Sequence, residues 1–506
     1  MKKTRKSGMR PRANALALAL ALASGAASAD EGPDFHLGGY VRAAASFNLQ
    51  DAPETRQDDK GDLSMLRGTL LLDGDARMGP FRVKGIARAV REYQTDYLDR
   101  LEKRAQTATP GGPGSDMMDY LYDEAEMREL YVEFDPTERV QLRLGKQQVV
   151  WGETDFFRAL DVVHGFDYRW RAFLEPENEE LRKPLILANM MVQVPEAQGS
   201  LQFLFRPGWD RKRDIGNTID LAGGRWRPQP YRGIDTLSVT DYDTRHPEGD
   251  VRDKTWGARW SGRAGPVNYS VAYLETYNPD PVLNSAFFPY KKAPAGMLGD
   301  WIHPRNEVYG ATLSGYLQPI DAVLSTELVY TKDAAFNTGS SSMLPGVLPE
   351  GLGGILRRDT FTTMFRMDKN LDLRNLIGTS KQSMFSVQFF NTRILDFAGS
   401  DDIVMNVGYA TRKKRDSALL TALLAMSYDG DRINPQIAAG WDVSYGGGFV
   451  IPSVDVVMGD HWRLKVEADL FFGGKPRSPT DLDSSTSTMG YFRDNNQLYV
   501  RLTRQF

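Results

Sequence analysis

The chain has 506 residues, of which 25% are charged, a formal net charge of −4 and no cysteine. It therefore offers no disulfide framework, no cysteine-ligated metal and no thiol nucleophile. The acidic balance disfavours nucleic acid as a partner, and no stretch beyond the N-terminus is long and apolar enough for a membrane-spanning helix.

Lys2, Lys3, Arg5, Lys6, Arg10 and Arg12 precede an Ala/Leu run from Ala13 to Ala23 that closes on Ala27-Ser28-Ala29. A cationic start, a short apolar run and a small-residue cleavage site predict a secretory signal peptide over residues 1–29, with the mature part at 30–506. The run is well short of the ~20 residues that cross a bilayer. Removing these six cations leaves the mature part at about −10. A secreted chain without spanning helices is either soluble or a closed β-barrel, the one non-helical form that leaves no backbone group unpaired in lipid.

In the first predicted strand, Phe35, Leu37, Val41, Ala43, Ala45, Phe47 and Leu49 share one face, and His36, Tyr40, Arg42, Ser46, Asn48 and Gln50 share the other. The same two-residue alternation predicts strands near 35–50, 62–77, 81–93, 126–135, 139–150, 185–195, 199–206, 253–263 and 266–277. It continues near 306–318, 321–332, 356–369, 380–393, 417–428, 433–446, 449–458, 461–472 and 495–506. The count is about eighteen, an even number as an outer-membrane barrel requires. A further strand at Ile403 to Tyr409 and an ambiguous connection at 446–449 leave sixteen as the alternative.

Connections alternate in length. Met78-Gly79-Pro80, Asp135-Pro136-Thr137-Glu138, Glu196-Ala197-Gln198-Gly199, Ala264-Gly265-Pro266, Gln318-Pro319-Ile320-Asp321, Asp429-Gly430-Asp431 and Gly459-Asp460 carry turn residues. Long polar or aromatic stretches lie between them, near 94–125, 151–184, 207–252, 278–305, 333–355, 394–416 and 473–491. Short periplasmic turns with long outer loops are the asymmetry of an outer-membrane barrel, with both termini in the periplasm. A soluble β-sandwich has no reason to segregate loop lengths.

The strand at 461–472 decides which face meets lipid. Trp462, Leu464, Val466, Ala468, Leu470 and Phe472 alternate with Arg463, Lys465, Glu467 and Asp469. A Lys or Arg at the bilayer midplane costs a barrel roughly 2–4 kcal/mol, so the charged face turns to the lumen. Ten residues span about 33 Å, which a tilt near 40° projects to about 25 Å, the height of the apolar band. The same reasoning sends Arg42, Arg67, Arg82, Lys84, Arg88, Arg143, Glu327, Arg463, Lys465, Glu467, Asp469 and Arg501 to the pore lining, with Asp73, Asp75, Glu129 and Glu133. These charges either build a field across the lumen or pair across strands to satisfy a polar interior; both readings stay open.

So wide a barrel needs something to narrow it. The first candidate is the connection from Trp151 to Pro184, with Trp151, Gly152, Glu153, Asp155, Phe156, Phe157, Asp161, Phe166, Tyr168, Arg169, Trp170, Arg171, Phe173 and Arg182. The second is 207–235, with Trp209, Arg211, Lys212, Arg213, Trp226 and Tyr231. Either folds into the lumen or caps it from outside.

The five histidines, His36, His164, His246, His303 and His461, include no pair at helical zinc spacing. There is also no nucleophile elbow, phosphate loop or EF-hand. No catalytic residue, cofactor or metal is expected, and Asp481-Leu482-Asp483 reads as solvated loop rather than a calcium site. In the last strand, Leu498, Val500, Leu502 and Phe506 share a face and resemble the C-terminal signal read by the barrel-assembly machinery. Arg504 stands where that pattern usually has an apolar residue.

Leu144-Gly145-Lys146-Gln147-Gln148-Val149-Val150-Trp151-Gly152-Glu153, then Leu160-Asp161-Val162-Val163 and Arg182-Lys183-Pro184-Leu185, resemble a proteobacterial outer-membrane family. It is the family catalogued as domain of unknown function thirteen-oh-two. The order of strand, Trp-Gly-Glu, aromatic loop and Pro-initiated strand matches it, and the length and N-terminal signal fit over the whole mature chain; the loop from Asp155 to Arg171 departs in detail. The resemblance implies an outer-membrane barrel often encoded beside a lipid-transporting RND-type exporter and a LolB-like periplasmic carrier. It carries over no catalytic residues.

The expectation is an all-β, transmembrane antiparallel barrel serving as a conduit for hydrophobic or amphipathic cargo. Its expected partners are outer-membrane lipid and lipopolysaccharide, the assembly machinery during biogenesis, an RND-type inner-membrane transporter and a periplasmic carrier protein. A stand-alone diffusion porin is the alternative; a barrel lipase or protease and a surface adhesin are the further rivals.

Overall fold

The computed structural model describes residues 34–51, 55, 57–108, 116–154, 157–169, 178–218, 225, 240–242, 251–284, 299–339, 354–405, 412–474 and 489–506; the predicted signal peptide lies outside them. Eighteen strands form one sheet. They are β1 (Asp34–Asn48), β2 (Leu63–Met78), β3 (Phe81–Glu92), β4 (Glu124–Thr137), β5 (Val140–Gln147), β6 (Leu185–Val194), β7 (Gly199–Arg206), β8 (Thr255–Ala264) and β9 (Val267–Tyr277). There follow β10 (Arg305–Leu317), β11 (Ala322–Asn337), β12 (Ile355–Leu371), β13 (Ser383–Ile394), β14 (Asp416–Ala425), β15 (Ile433–Asp442), β16 (Gly448–Met458), β17 (Trp462–Phe472) and β18 (Gln497–Gln505).

Each strand pairs antiparallel with the next, and β1 also pairs with β18, from Tyr40↔Gln505 to Asn48↔Gln497, which closes the sheet into a barrel. At the seam Gly39 and Phe506 exchange backbone hydrogen bonds of 3.1 Å. All eighteen predicted strands are present and the alternative of sixteen is overturned. Ile403 and Val404 make only isolated bridges, to Thr338 and Arg412, and residues 443–447 turn β15 into β16. Every strand of the eighteen-stranded sheet thus has a neighbour on both sides, and that sheet has no edge.

The period of two becomes outside and inside. Along β1, Phe35, Leu37, Val41 and Phe47 are exposed on the outer surface while Ser46 and Asn48 are buried on the inner one. β17 repeats this, with Trp462, Val466 and Phe472 outward and Lys465, Glu467 and Asp469 inward. Among the described residues no helix is long and apolar enough to cross a membrane; the outward faces of the barrel strands are apolar and suit hydrocarbon. Outward aromatics mark both rims. Trp256, Tyr273, Tyr309 and Tyr330 form a row across β8–β11, with successive ring centroids 4.8, 5.1 and 6.0 Å apart. Near the other rim Phe81 and Phe134 meet at 5.3 Å, and Arg504 lies over Trp462.

Connections divide by rim as the sequence predicts. One rim, the turn end, has residues 79–80, 138–139, 195–198, 265–266, 318–321, 426–432 and 459–461, plus a longer link at 372–382 with a one-turn helix at Arg374–Ile377. The other, the loop end, carries the long segments. There α1 (Asp96–Ala108), whose Leu98 N–H donates to the Thr95 hydroxyl at its start, packs Tyr97, Leu98, Leu101 and Ala105 on Met117, Leu121 and Tyr122. Three short strands, Thr240–Tyr242, Val282–Asn284 and Gly299–Ile302, tie two of the loops together.

Candidate functional site

The loop between β5 and β6 enters the barrel. Trp151 is fully buried, and Val149, Leu160 and Val163 join it in an apolar core. The other half of that core is the inner face of the wall: Leu187 on β6, Leu204 on β7, Leu274 on β9, Val308 on β10, Val329 on β11, Met364 on β12 and Phe390 on β13. Phe157 extends the contact, its ring 6.1 Å from that of Phe390 and 6.2 Å from that of Phe449 on β16. Burying a Trp side chain of about 200 Å² removes at most about 5 kcal/mol of unfavourable hydration, enough to draw this loop inward.

The wall makes room for it. A methyl at Gly257 on β8 would lie 2.9 Å from the Trp151 ring, and one at Gly310 on β10 would overlap Leu160. Gly152 is needed for close approach, since a side chain there would meet Asp161 Cβ at 2.9 Å and Glu327 Oε1 at 3.3 Å.

Polar anchors fix the register of the loop on the wall. Trp151 Nε1 donates to Gln202 Oε1 at 2.9 Å; Gln202 donates to Asn189 at 3.0 Å, and Asn189 to Gln147 at 3.1 Å. These three amides stand on β7, β6 and β5. Glu327, fully buried on β11, accepts the backbone N–H of Glu153 and, at 2.7 Å, that of Leu160, so one carboxylate holds two points of the loop. Arg366 on β12 donates to the Glu153 carbonyl at 2.7 Å. The described anchors of Glu153 therefore run through its backbone.

Beyond Leu160 the loop is knitted to itself and to the next one. Arg158 donates to the His164 carbonyl at 2.8 Å and to Asn217 at 2.8 Å, and lies 4.0 Å over the Phe166 ring. Asp161 pairs with Arg182 at 2.7 Å, and Asp167 with Arg169 at 2.5 Å. His164 Nε2 accepts the Val149 N–H at 2.9 Å, and Nδ1 lies 3.0 Å from the Lys183 carbonyl, which assigns the proton to Nδ1. Burial pushes the His164 pKa down to about 3 and that of Lys183 down to about 7. Lys183 Nζ donates to the Arg213 carbonyl and the Thr218 hydroxyl. Through these contacts residues 210–218 of the second candidate loop also lie against the inner bundle, whereas Trp209 is exposed. Asp155, Phe156, Trp170, Arg171, Phe173, Trp226, Tyr231 and Asp481–Asp483 lie outside the described residues.

The opposite flank of the lumen is charged. Arg42 binds Glu180 at 2.8 Å, carried on the short helix Asn178–Leu181, and donates to Thr503 at 3.2 Å. Arg88 pairs with Glu126 at 2.8 Å and donates to the Glu180 carbonyl at 2.9 Å; Arg128 donates to the carbonyls of Glu179 and Arg182 at 2.7 Å. The Glu92 carboxylate is shared by Arg67 at 2.7 Å and Arg225 at 2.5 Å. Arg82 pairs with Asp75, Lys84 with Asp73, Arg143 with Glu133 and Lys465 with Glu467. Asp469 accepts from Gln497 at 2.6 Å, and Arg501 is buried opposite Lys465. Arg463 is exposed at the turn end and stands apart from this set. Pairing among these side chains thus neutralises much of the inner wall, and within the predicted lining both Glu327 and Arg88 also hold the loop backbone.

Residues that the sequence reading did not single out are Asn189, Gln202, Arg158, Glu180, Arg259 and the two wall glycines. Their signal was present: Gln202, Leu204, Gly257 and Arg259 occupy inward positions of alternating strands, but nothing local says which loop they receive. Among the described residues no group of three metal-ligating side chains converges.

Residues 10–506 match the model of the family described as Protein of unknown function (DUF1302). No curated protein matches the sequence. Among solved structures the chain is similar to OpdK of Pseudomonas aeruginosa with vanillate, at 10% identity over 94% of this chain and 98% of that one, TM-score 0.45. It is similar to OccAB1 of Acinetobacter baumannii, at 10% identity over 93% and 96%, TM-score 0.44. A third is OmpF of Salmonella typhi in complex with daunomycin, at 8% identity over 93% and 97%, TM-score 0.40.

Proposed function

The chain belongs to the DUF1302 family, and from that premise we propose that it is an outer-membrane conduit, the outer station of a trans-envelope route for amphipathic, lipid-like cargo. The observation that carries this reading is the division of the lumen into an apolar flank under the Trp151 loop and a charged flank facing it. A wide aqueous pore gains nothing from an apolar inner wall, because each Leu or Phe left facing water forfeits about 1.5–3 kcal/mol. An amphiphile uses both flanks, its tail on one and its head on the other.

The loop covers the apolar wall, so passage requires the loop to move. That suits a barrel opened by partners, namely the RND-type inner-membrane transporter and periplasmic carrier that the family resemblance implies. Conductance of the purified protein in a planar bilayer tests the reading: a closed or flickering channel is expected, and steady ohmic conductance would transfer the protein to the diffusion porins. Turnover of phospholipid or peptide by the pure protein would place it among barrel enzymes instead.

A further inference from the structure

Below the Trp151 loop, toward the turn end, lies a chamber of about 290 Å³ against β5–β8. Its wall carries Gln141 and Arg143, Asn189 and Met191, Ser200 and Gln202, and Arg259 and Ser261, all inward positions; its roof is Val149 and Val150. Most polar groups here are committed. Arg143 pairs with Glu133, and Gln202 and Asn189 belong to the amide relay that holds Trp151.

Arg259 is different. Its one hydrogen bond among the described residues is a long one, 3.4 Å, to the Val150 carbonyl; Nε is buried without a partner, and it forms no ion pair among the described residues. The acidic groups in its field are Glu153, Glu327 and Asp161. Glu327 is occupied by two backbone N–H groups and Asp161 by Arg182. Ser200 and Ser261 face each other across β7 and β8, one position further toward the turn end on the same inner face. A guanidinium with donors to spare, two hydroxyls and an adjacent patch of Met191, Val149 and Val150 make the donor set for a carboxylate with a short apolar tail.

We infer that this chamber binds the carboxylate head of an amphipathic monocarboxylate, with Arg259 as the anchoring cation. The inference rests on the conduit reading and narrows its cargo to anionic amphiphiles that enter from the turn end. Gln141, Ser200 and Ser261 each lie within a few residues of a turn, so the chamber reaches that rim.

The experiment is calorimetric titration of the full-length mature protein in lipid nanodiscs with hexanoate, and with hexanamide as the uncharged counterpart. Hexanoate is expected to bind saturably and hexanamide about tenfold to a hundredfold more weakly, the worth of a charge-assisted hydrogen bond. Arg259→Gln should lose binding to the hexanamide level, Arg259→Lys should keep part of it, and Arg463→Gln, exposed at the turn end, should match the wild type. Glu153→Gln should tighten binding by removing a competing charge. Equal binding of the two probes, or hexanoate binding unchanged in a folded Arg259→Gln variant, overturns the site. A protein that binds hexanoate through Arg259 yet conducts steadily keeps this site and loses the conduit reading; a closed channel indifferent to hexanoate does the reverse.

Discussion

Between β6 and β13 the inner wall offers Leu187, Leu204, Leu274, Val308, Val329, Met364 and Phe390 to the in-folded loop, whereas from β17 round to β4 it offers Lys465, Arg501, Arg42, Arg67, Arg88 and Glu126. The same loop reaches both flanks, through opposite ends of it: Trp151 to Leu160 on the apolar wall, Glu179 to Arg182 on Arg42, Arg88 and Arg128 of the charged side. The first is held by area and tolerates small displacement. The second is held by ion pairs whose loss leaves a charge stranded in a site that water reaches poorly. The same plug is thus pinned by two kinds of force, which respond differently to mutation, salt and pH.

The largest test strikes the apolar side. Trp151→Ala should cost about 3–5 kcal/mol of loop stability and raise bilayer conductance; an unchanged conductance and unchanged heat-modifiable gel migration would show that the Trp does not hold the plug. Comparable in size on the charged side, Glu92→Ala leaves both Arg67 and Arg225 without their shared carboxylate, a loss of about 3–5 kcal/mol. Replacing all three by apolar residues of similar volume should recover much of it, measured as the temperature at which the folded band is lost.

Glu327→Ala sits between the flanks. It strips two backbone N–H groups of their acceptor, and about 1–3 kcal/mol per group left unsatisfied should appear as faster exchange of the Glu153 and Leu160 amides. No change in that exchange would refute the double grip.

A smaller effect comes from pH. His164 and His303 are held neutral by burial, their pKa values pushed down to about 3 and about 4. Released from the bundle they would take up a proton near the ordinary 6.5, so the closed arrangement loses stability as pH falls below about 6.5. Lys183 works in the same sense at higher pH, favouring closure increasingly as pH rises from about 7 toward 10.5. Conductance should increase on acidification to about pH 4, and less so in His164→Asn; a flat profile in the wild type would exclude this. The smallest effect is expected for Arg463→Ser, exposed at the turn end, within about 0.5 kcal/mol of the parent.

The strands were readable because alternation is local: whether Leu464 or Lys465 meets lipid is settled by their neighbours alone. The same rule gathered the charges of each strand on one face, and some pairings were implicit in it, as with Arg82 and Asp75 on adjoining strands. The loop was legible as an aromatic segment in need of cover, but its destination was not. Trp151 finds Gln202 across 51 positions and Glu153 finds Glu327 across 174, and Arg42 meets Glu180 across 138. Such partners are chosen by barrel curvature, which places β11 opposite a loop from β5, and no window of sequence contains both. Even the wall glycines read only as weak spots in a strand until Leu160 and Trp151 are seen to occupy them.

The seam between β1 and β18 has a consequence for how the molecule is made. Arg42 reaches Thr503, 461 positions downstream, and the closing strand has nine residues. One hydrogen-bonding row of β1 is therefore filled only when β18 arrives, however early β1 and β2 have paired. Closure is thus a property of the whole cylinder, and losing the pairing of β18 would open it along its length rather than remove one stave.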